Sequence, residues 1–357
     1  MQEQESDVDQ PSTEIHPHQG RNGACGKCCL LCKLAGLLCC IFCPPAPELI
    51  ARKLAFHPIA KGTTYRLMGA ATNGAFELKS AKHARKMATE IWIEVPKREE
   101  QGAMENYAWI REALVFTVKT KRGNHLVGIW KEASHFSMGK KKRPNLVILF
   151  AQPNSSDLGC FLQPGAPSIS LQHMSIAYEA DVVAFDYSGF GFSSGAASEK
   201  NIYADIEAVF EFIREKRGEN VEIVLLGFSM GTAASIHLAA KNPANLHGVV
   251  LLAPFASGLR LFLNKPARSE PYFFDRFLSF EKVPEIQAPT LIVHGHQDAI
   301  VPLKHGKTLH SRLRNPAPPL FVATGDHANI LNTTNALIVH RICSFLYSEA
   351  IPEVSEE

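Results

Sequence analysis

Away from its N-terminus the chain has almost no cysteine. Cys25, Cys28, Cys29, Cys32, Cys39, Cys40 and Cys43 crowd one short stretch, and only Cys160 and Cys343 lie elsewhere. A disulfide framework spreads its cysteines through the fold, so none is expected, and the body reads as that of a protein from a reducing compartment. Long apolar runs are also missing. The uninterrupted apolar part of the cysteine-rich stretch, Leu34 to Cys43, is far too short to span a bilayer. Neither sign of charge dominates: the net charge is +2, which implies no global pull toward nucleic acid. The start lacks the positive charge of a secretory signal, carrying Glu3, Glu5, Asp7, Asp9 and Glu14 instead. Gln2 stands where N-myristoylation needs glycine. What remains, at 357 residues, is one large domain with extensions or two small domains.

The chain is organised around Val221–Thr232. It begins as a short apolar run rich in β-branched residues, the pattern of a buried parallel strand. It ends in Gly227-Phe228-Ser229-Met230-Gly231, a Gly-x-Ser-x-Gly pattern, and a good helix former follows from Ala233 to Ala240. Strand, sharp turn, helix is the context of a nucleophile elbow. Such a turn holds Ser229 in a strained conformation and requires Gly227 and Gly231, where a Cβ would meet the neighbouring strand and helix. It lifts Oγ above the sheet edge and aims the Met230 N–H at a developing oxyanion.

The flanking sequence fits that reading. Ala113–Thr120 and His125–Trp130 form a hairpin around a turn containing Gly123-Asn124. Strands are predicted at Leu146–Phe150, Asp181–Asp186, Gly248–Ala253, Thr290–Gly295 and Leu320–Ala323. Tyr203, Ile206, Val209, Phe210 and Ile213 mark one face of a helix that Gly218 ends. Strands alternating with helices imply a mostly parallel sheet covered on both faces, entered through an antiparallel hairpin.

A serine hydroxyl needs a base, and the base needs orientation. In such sheets these groups sit just past the carboxyl ends of strands. His296-Gln297-Asp298 follows one late strand and Gly325-Asp326-His327 follows the other. The order Ser229, Asp298, His327 is that of a Ser-His-Asp triad on an α/β-hydrolase sheet. Asp298 would fix the imidazole tautomer, and His327 would take the Ser229 proton and pass it to the leaving group. A rival reading takes His294, His296 and Asp298 as zinc ligands, but Ala299 stands where that motif continues with histidine, and the serine elbow is then unexplained. Gly189-Phe190-Gly191 is weak as a dinucleotide loop, because its third glycine is missing and its helix starts late. The triad chemistry needs no metal or organic cofactor.

The N-terminal third divides by composition. Residues 1–24 are polar and acidic and are expected to be disordered. Residues 25–45 hold the cysteine cluster, closed by Pro44-Pro45. Three readings stand for it: a zinc knuckle using His16 or His18, a buried core helix, or S-acylation of several thiols on a membrane-surface segment. Residues 46–109 read as a basic linker and N-terminal extension. Arg52, Lys53, Lys61, Arg66, Lys79, Lys82, Arg85 and Lys86 are opposed there by Glu77 alone up to Lys86, apart from Glu48 at its start, and such a flank is attracted to anionic lipid. Residues 110–350 form the catalytic domain and 351–357 an acidic tail.

Taken with the triad, Asp186-Tyr187-Ser188-Gly189-Phe190-Gly191, Ser193-Ser194-Gly195, Ser198-Glu199-Lys200-Asn201, Tyr203-Ala204-Asp205-Ile206 and the cysteine-rich start before Pro44-Pro45 resemble the alpha/beta hydrolase domain 17 group of membrane-anchored protein depalmitoylases. The resemblance covers about Cys25 to Phe345. It implies an α/β-hydrolase fold, thioester hydrolysis on S-acylated membrane proteins, and a peripheral location on cytosolic membrane faces, plasma and endosomal. The resemblance to a membrane-anchored group fits the S-acylation reading of the cysteine cluster, taken at Cys28, Cys29, Cys32, Cys39, Cys40 and Cys43. It also places the second oxyanion donor, beside Met230, at the N–H of Asn154. Here the chain departs from the group: Gln152-Pro153-Asn154 stands for His-Gly-Asn, and proline fixes φ and lacks an N–H. Two alternatives stay in view: a lipid or carboxyl ester hydrolase with the same triad and, motivated by that departure, a catalytically silent membrane scaffold.

Overall fold

A computed structural model describes residues 55–72, 74–96, 108–133, 145–162, 170–331 and 335–350. The cysteine cluster, both acidic tails and residues 97–107 and 134–144 lie outside the described residues.

The strands are β1 (Arg66–Ala71), β2 (Gly74–Glu77), β3 (Glu90–Glu94), β4 (Leu114–Lys119), β5 (His125–Lys131), β6 (Leu146–Ala151), β7 (Asp181–Phe185), β8 (Glu222–Phe228), β9 (Leu246–Leu252), β10 (Thr290–Gly295) and β11 (Leu320–Val322). Among the described residues they form two sheets. The larger runs β11-β10-β9-β8-β6-β7-β5-β4. It is parallel from β11 to β7, and β5 and β4 join antiparallel as the expected hairpin. The hairpin turn closes through Thr120 N–H to the Asn124 carbonyl at 2.8 Å, with Gly123 at φ 83°.

The apolar runs of the central strands are buried on both sides, and the two-residue period of a strand divides them. Ile148, Phe150, Val224, Leu226, Val250 and Leu252 belong to one core. Val147, Leu149, Ile223, Leu225, Val249 and Leu251 belong to the other. The helix Glu199–Arg217 covers the second core with Ile202, Ile206, Val209, Phe210 and Ile213. Its limits are those of its sequence: the Ser198 hydroxyl accepts the Asn201 N–H, and Gly218 ends it at φ 82°. The helices Leu171–Tyr178 and Ala336–Ser344 cover the opposite core. Each of these strands and helices obeys its own local pattern, which is why the α/β architecture was readable from periodicity.

The N-terminal extension departs from the linker expectation. Residues 66–94 fold as a three-stranded antiparallel sheet, β2-β1-β3, with a short helix Ala81–Met87 capped by Ser80. Tyr65, Leu67, Leu78, Ala81, Ala84 and Ile93 are buried in the same core as the central sheet. Arg66, Lys79, Lys82, Arg85 and Lys86 are exposed on the sheet and helix. The basic composition is therefore the solvent face of a folded element whose apolar face is docked.

The chain crosses the central sheet where it matters for chemistry. β7 pairs on one side of β6 and β8 on the other, so the direction of winding reverses between them. The crevice at such a switch point, beyond the carboxyl ends of the strands, is where doubly wound sheets place ligands. Gln152 follows β6 there and Ser229 follows β8.

Candidate active site

Ser229 sits between β8 and the helix Met230–Ala239 at φ 51°, ψ −115°. This left-handed region costs a non-glycine residue on the order of 1–3 kcal/mol and persists only where surroundings enforce it. They do: the Ser229 N–H donates to the Leu252 carbonyl at 2.9 Å, and its carbonyl accepts the Thr232 N–H at 2.9 Å and the Thr232 hydroxyl at 2.6 Å. The flanking glycines are sterically required. A Cβ on Gly231 would lie 1.9 Å from the Ala151 carbonyl oxygen, and one on Gly227 would lie 2.7 Å from the Gly231 carbonyl oxygen. Gly231 thus lets the helix start press on the end of β6. Met230 is the first helical residue, and first-turn N–H groups have no intrahelical acceptor.

His327 Nε2 lies 3.1 Å from Ser229 Oγ, and His327 Nδ1 lies 2.7 Å from Asp298 Oδ2. Residues 29 and 98 apart in sequence are brought together by the ends of three strands of one sheet. The loops after β10 and β11 are joined by His296 N–H to the Val322 carbonyl and Gln297 N–H to the Gly325 carbonyl, each at 2.9 Å. The Phe228 ring packs at 5.2 Å from the His327 ring. Asp298 Oδ1 accepts the N–H groups of Ile300 and Val301 at 2.9 and 2.7 Å. Burial disfavours its charge, but bonds from His294, His327 and the Val301 N–H outweigh that and hold the carboxyl well below the usual carboxylate range. The neighbouring Asp326 has a different role, since its Oδ1 accepts the Ala328 and Asn329 N–H groups and shapes the His327 loop.

The metal reading of His294, His296 and Asp298 is not supported by geometry. His294 is fully buried with Nε2 on the Val301 carbonyl at 2.7 Å, while His296 is exposed beyond the end of β10. Among the described residues no group of three or more His, Cys, Asp or Glu is arranged to hold a metal ion.

Asn154 lies in the loop after β6, and its side chain is held across the fold: Oδ1 accepts the His57 N–H at 3.1 Å. Beneath the loop lies a buried polar network that the sequence did not announce. Asp186 accepts the Leu158 N–H at 2.8 Å, the Gln152 amide at 3.3 Å and the Tyr65 hydroxyl. Burial and the nearby Asp157 carboxylate push the Asp186 carboxyl upward against those bonds. Gly191, at φ 45°, leaves room for it, since a Cβ there would lie 1.9 Å from Asp186 Oδ2.

A strained serine on an elbow, a histidine on its hydroxyl and an aspartate behind the histidine, all beyond the carboxyl ends of strands in one mostly parallel sheet, define the chain as an α/β hydrolase. Residues 144–285 match the family model described as alpha/beta hydrolase fold. An esterase from Pyrococcus furiosus shares the fold, with TM-score 0.51 and 17% identity over 70% of this chain and 97% of that one. Within that class the chain belongs to the alpha/beta hydrolase domain-containing protein 17 family. It is 33% identical to the human alpha/beta hydrolase domain-containing protein 17B over 82% of this chain and 90% of the relative. It is 31% identical to the alpha/beta hydrolase domain-containing protein aho-3 of Caenorhabditis elegans over 88% of this chain and 82% of the relative.

Proposed function

We propose that this protein is a serine hydrolase that removes long-chain acyl groups from S-acylated proteins at cytosolic membrane faces. The observation that carries the reading is the continuous chain Asp298–His327–Ser229, with contacts of 2.7 and 3.1 Å. Ser229 Oγ attacks the thioester carbonyl carbon while its proton passes to His327 Nε2. The tetrahedral oxyanion is held by the Met230 N–H and by the N–H of Asn154. The carbon–sulfur bond breaks, the departing thiolate takes the proton from His327, and acyl-Ser229 remains. Water then attacks the acyl carbon, His327 takes a proton from it, and the fatty acid leaves as Ser229 regains its hydrogen. Asp298 stays ionised throughout and stabilises the imidazolium.

Membrane residence is part of the same proposal and rests on the sequence. Cys28, Cys29, Cys32, Cys39, Cys40 and Cys43 are taken as S-acylated, and the exposed lysines and arginines of the N-terminal sheet and helix as a favourable contact for anionic lipid. A buried palmitoyl chain contributes about 0.8 kcal/mol per CH₂, so two or more chains make release slow. The test has two arms. Purified protein is given a palmitoyl-thioester peptide, the matching oxygen ester and a glycerolipid ester; thioester cleavage with the highest kcat/KM supports the reading. Preference for the lipid ester replaces it with a lipase, and no turnover of any of the three, at the wild-type loop, replaces it with a scaffold. In cells, changing the six cysteines to serine is expected to release the protein from the membrane pellet. A mutant that stays there, or a wild type without hydroxylamine-labile groups, overturns the anchor.

A further inference from the structure

Asp298 Oδ2, the oxygen that faces His327, also meets a histidine that the reaction does not use. His294, near the end of β10, is fully buried, with Nε2 at 2.7 Å from the Val301 carbonyl and 3.5 Å from Asp298 Oδ2. A carbonyl oxygen only accepts, so Nε2 carries the proton and Nδ1 of the neutral ring is an acceptor. His305, in the helix Lys304–His310, is also fully buried. Its Nδ1 accepts the Ala256 N–H at 3.3 Å, so its neutral ring carries the proton on Nε2. Burial first, and then the neighbouring Lys304, push His305 down to about 4, which keeps it neutral near neutral pH. Among the described residues, His305 Nε2 and His294 Nδ1 have no hydrogen-bond partner. One is a buried donor and the other a buried acceptor. The helix is also fitted to the His294 ring, since a Cβ on Gly306 would lie 2.4 Å from Nδ1.

We propose that His294 is a positioning residue for Asp298, held in a single tautomer by His305 through one buried water molecule. The inference rests on Asp298 being the acid that orients His327. The water accepts from His305 Nε2–H and donates to His294 Nδ1, satisfying two buried polar atoms that otherwise lack partners. His294 Nε2–H then ties the Val301 carbonyl to the carboxylate whose Oδ1 already holds the Val301 N–H. The turn from Asp298 to Val301 is thereby closed from both ends, and Oδ2 presents a fixed lone pair to His327. Outer partners of this kind around metal ligands are worth about 10–100-fold in activity, and the same range is expected here.

The full-length protein and a soluble thioester reporter provide the test. His294→Phe, which keeps the ring and removes both hydrogen bonds, is expected to lower kcat about 10–100-fold with KM unchanged. The acid limb of kcat/KM against pH, which reports His327, is expected to move to lower pH as the imidazolium loses its aligned partner. His294→Gln, whose amide N–H can reach the same two oxygens, should recover most of both effects. His305→Asn keeps an acceptor for the Ala256 N–H and removes the far donor. It should shift the same limb by less, and add nothing in the His294→Phe background, as coupled residues do. A folded His294→Phe protein with kcat within about twofold of wild type and an unmoved limb overturns the proposal. So does a kcat loss that His294→Gln fails to rescue. If His294→Phe does not fold, an unmoved limb in His305→Asn overturns it instead. Asp298→Asn is measured alongside: a loss below about tenfold there removes the underlying triad reading, whereas a full loss there with an unaffected His294→Phe removes this inference alone.

Discussion

Replacing Asp298 by asparagine keeps the shape of the triad and reverses its polarity. Two backbone donors, the N–H groups of Ile300 and Val301, point at Oδ1 from 2.9 and 2.7 Å. An asparagine must place its carbonyl oxygen there, because its NH₂ would face two donors. The NH₂ is then left 2.7 Å from His327 Nδ1, where Asp298 Oδ2 now sits. That nitrogen becomes an acceptor, the imidazole proton moves to Nε2, and Nε2 turns a hydrogen toward Ser229 Oγ instead of a lone pair. The base is lost although no heavy atom has moved. Loss of the correct tautomer costs on the order of 10⁴ in kcat, equivalent to about 5.5 kcal/mol of transition-state stabilisation. KM should be nearly unchanged, since the contact is not with substrate. Steady-state hydrolysis of a soluble thioester, with a thermal melt to establish folding, measures it. A loss smaller than about tenfold in a folded protein refutes the tautomer argument.

Three further outcomes are expected. Gly231→Ala places a methyl group against the Ala151 carbonyl oxygen, so the helix start must lift off β6; a lowered melting temperature and near-complete loss of turnover should be seen together, and wild-type values for both would show that the elbow tolerates the shift. The double change Gln152→His, Pro153→Gly should raise kcat, up to a ceiling set by the roughly 3–4 kcal/mol of one oxyanion donor, and an unchanged kcat would mean that Met230 and Asn154 already suffice. The buried Asp186 carboxyl prefers its proton in the folded state, so its contribution to stability is present at acid pH and is lost as pH rises from the ordinary carboxylate range toward its higher folded value. Asp186→Asn removes that ionisation; denaturant midpoints against pH should fall with rising pH in wild type and flatten in the variant, and identical slopes would contradict the assignment.

Separation along the chain decided which features were legible in the sequence and which were hidden. The nucleophile strand, the elbow and the helix Glu199–Arg217 are local patterns, and each lies where its periodicity and caps put it. The loops carrying Asp298 and His327 were found at the carboxyl ends of the last two strands, through a rule of sheet topology rather than of sequence identity. The zinc reading of His294 and His296 failed for a related reason: β10 ends at Gly295, so the two-residue period that would put both side chains on one face does not reach His296. The N-terminal sheet was hidden because its strands are four to six residues long, contain several small residues and carry their basic residues outward. The network around Asp186 was hidden because Tyr65 reaches it from 121 residues away, and no local pattern encodes that contact.

Covalent trapping is the most direct test of Ser229 as the nucleophile. The full-length protein is incubated with a fluorophosphonate probe at neutral pH, digested, and the adduct located by mass spectrometry. A single phosphonylated peptide is expected, with the label on Ser229 and no label on Ser229→Ala. Labelling should be slowed by orders of magnitude in His327→Ala, because the base that activates the hydroxyl is gone. An unlabelled Ser229 in folded wild-type protein, or a label on another serine that survives Ser229→Ala, contradicts the assignment.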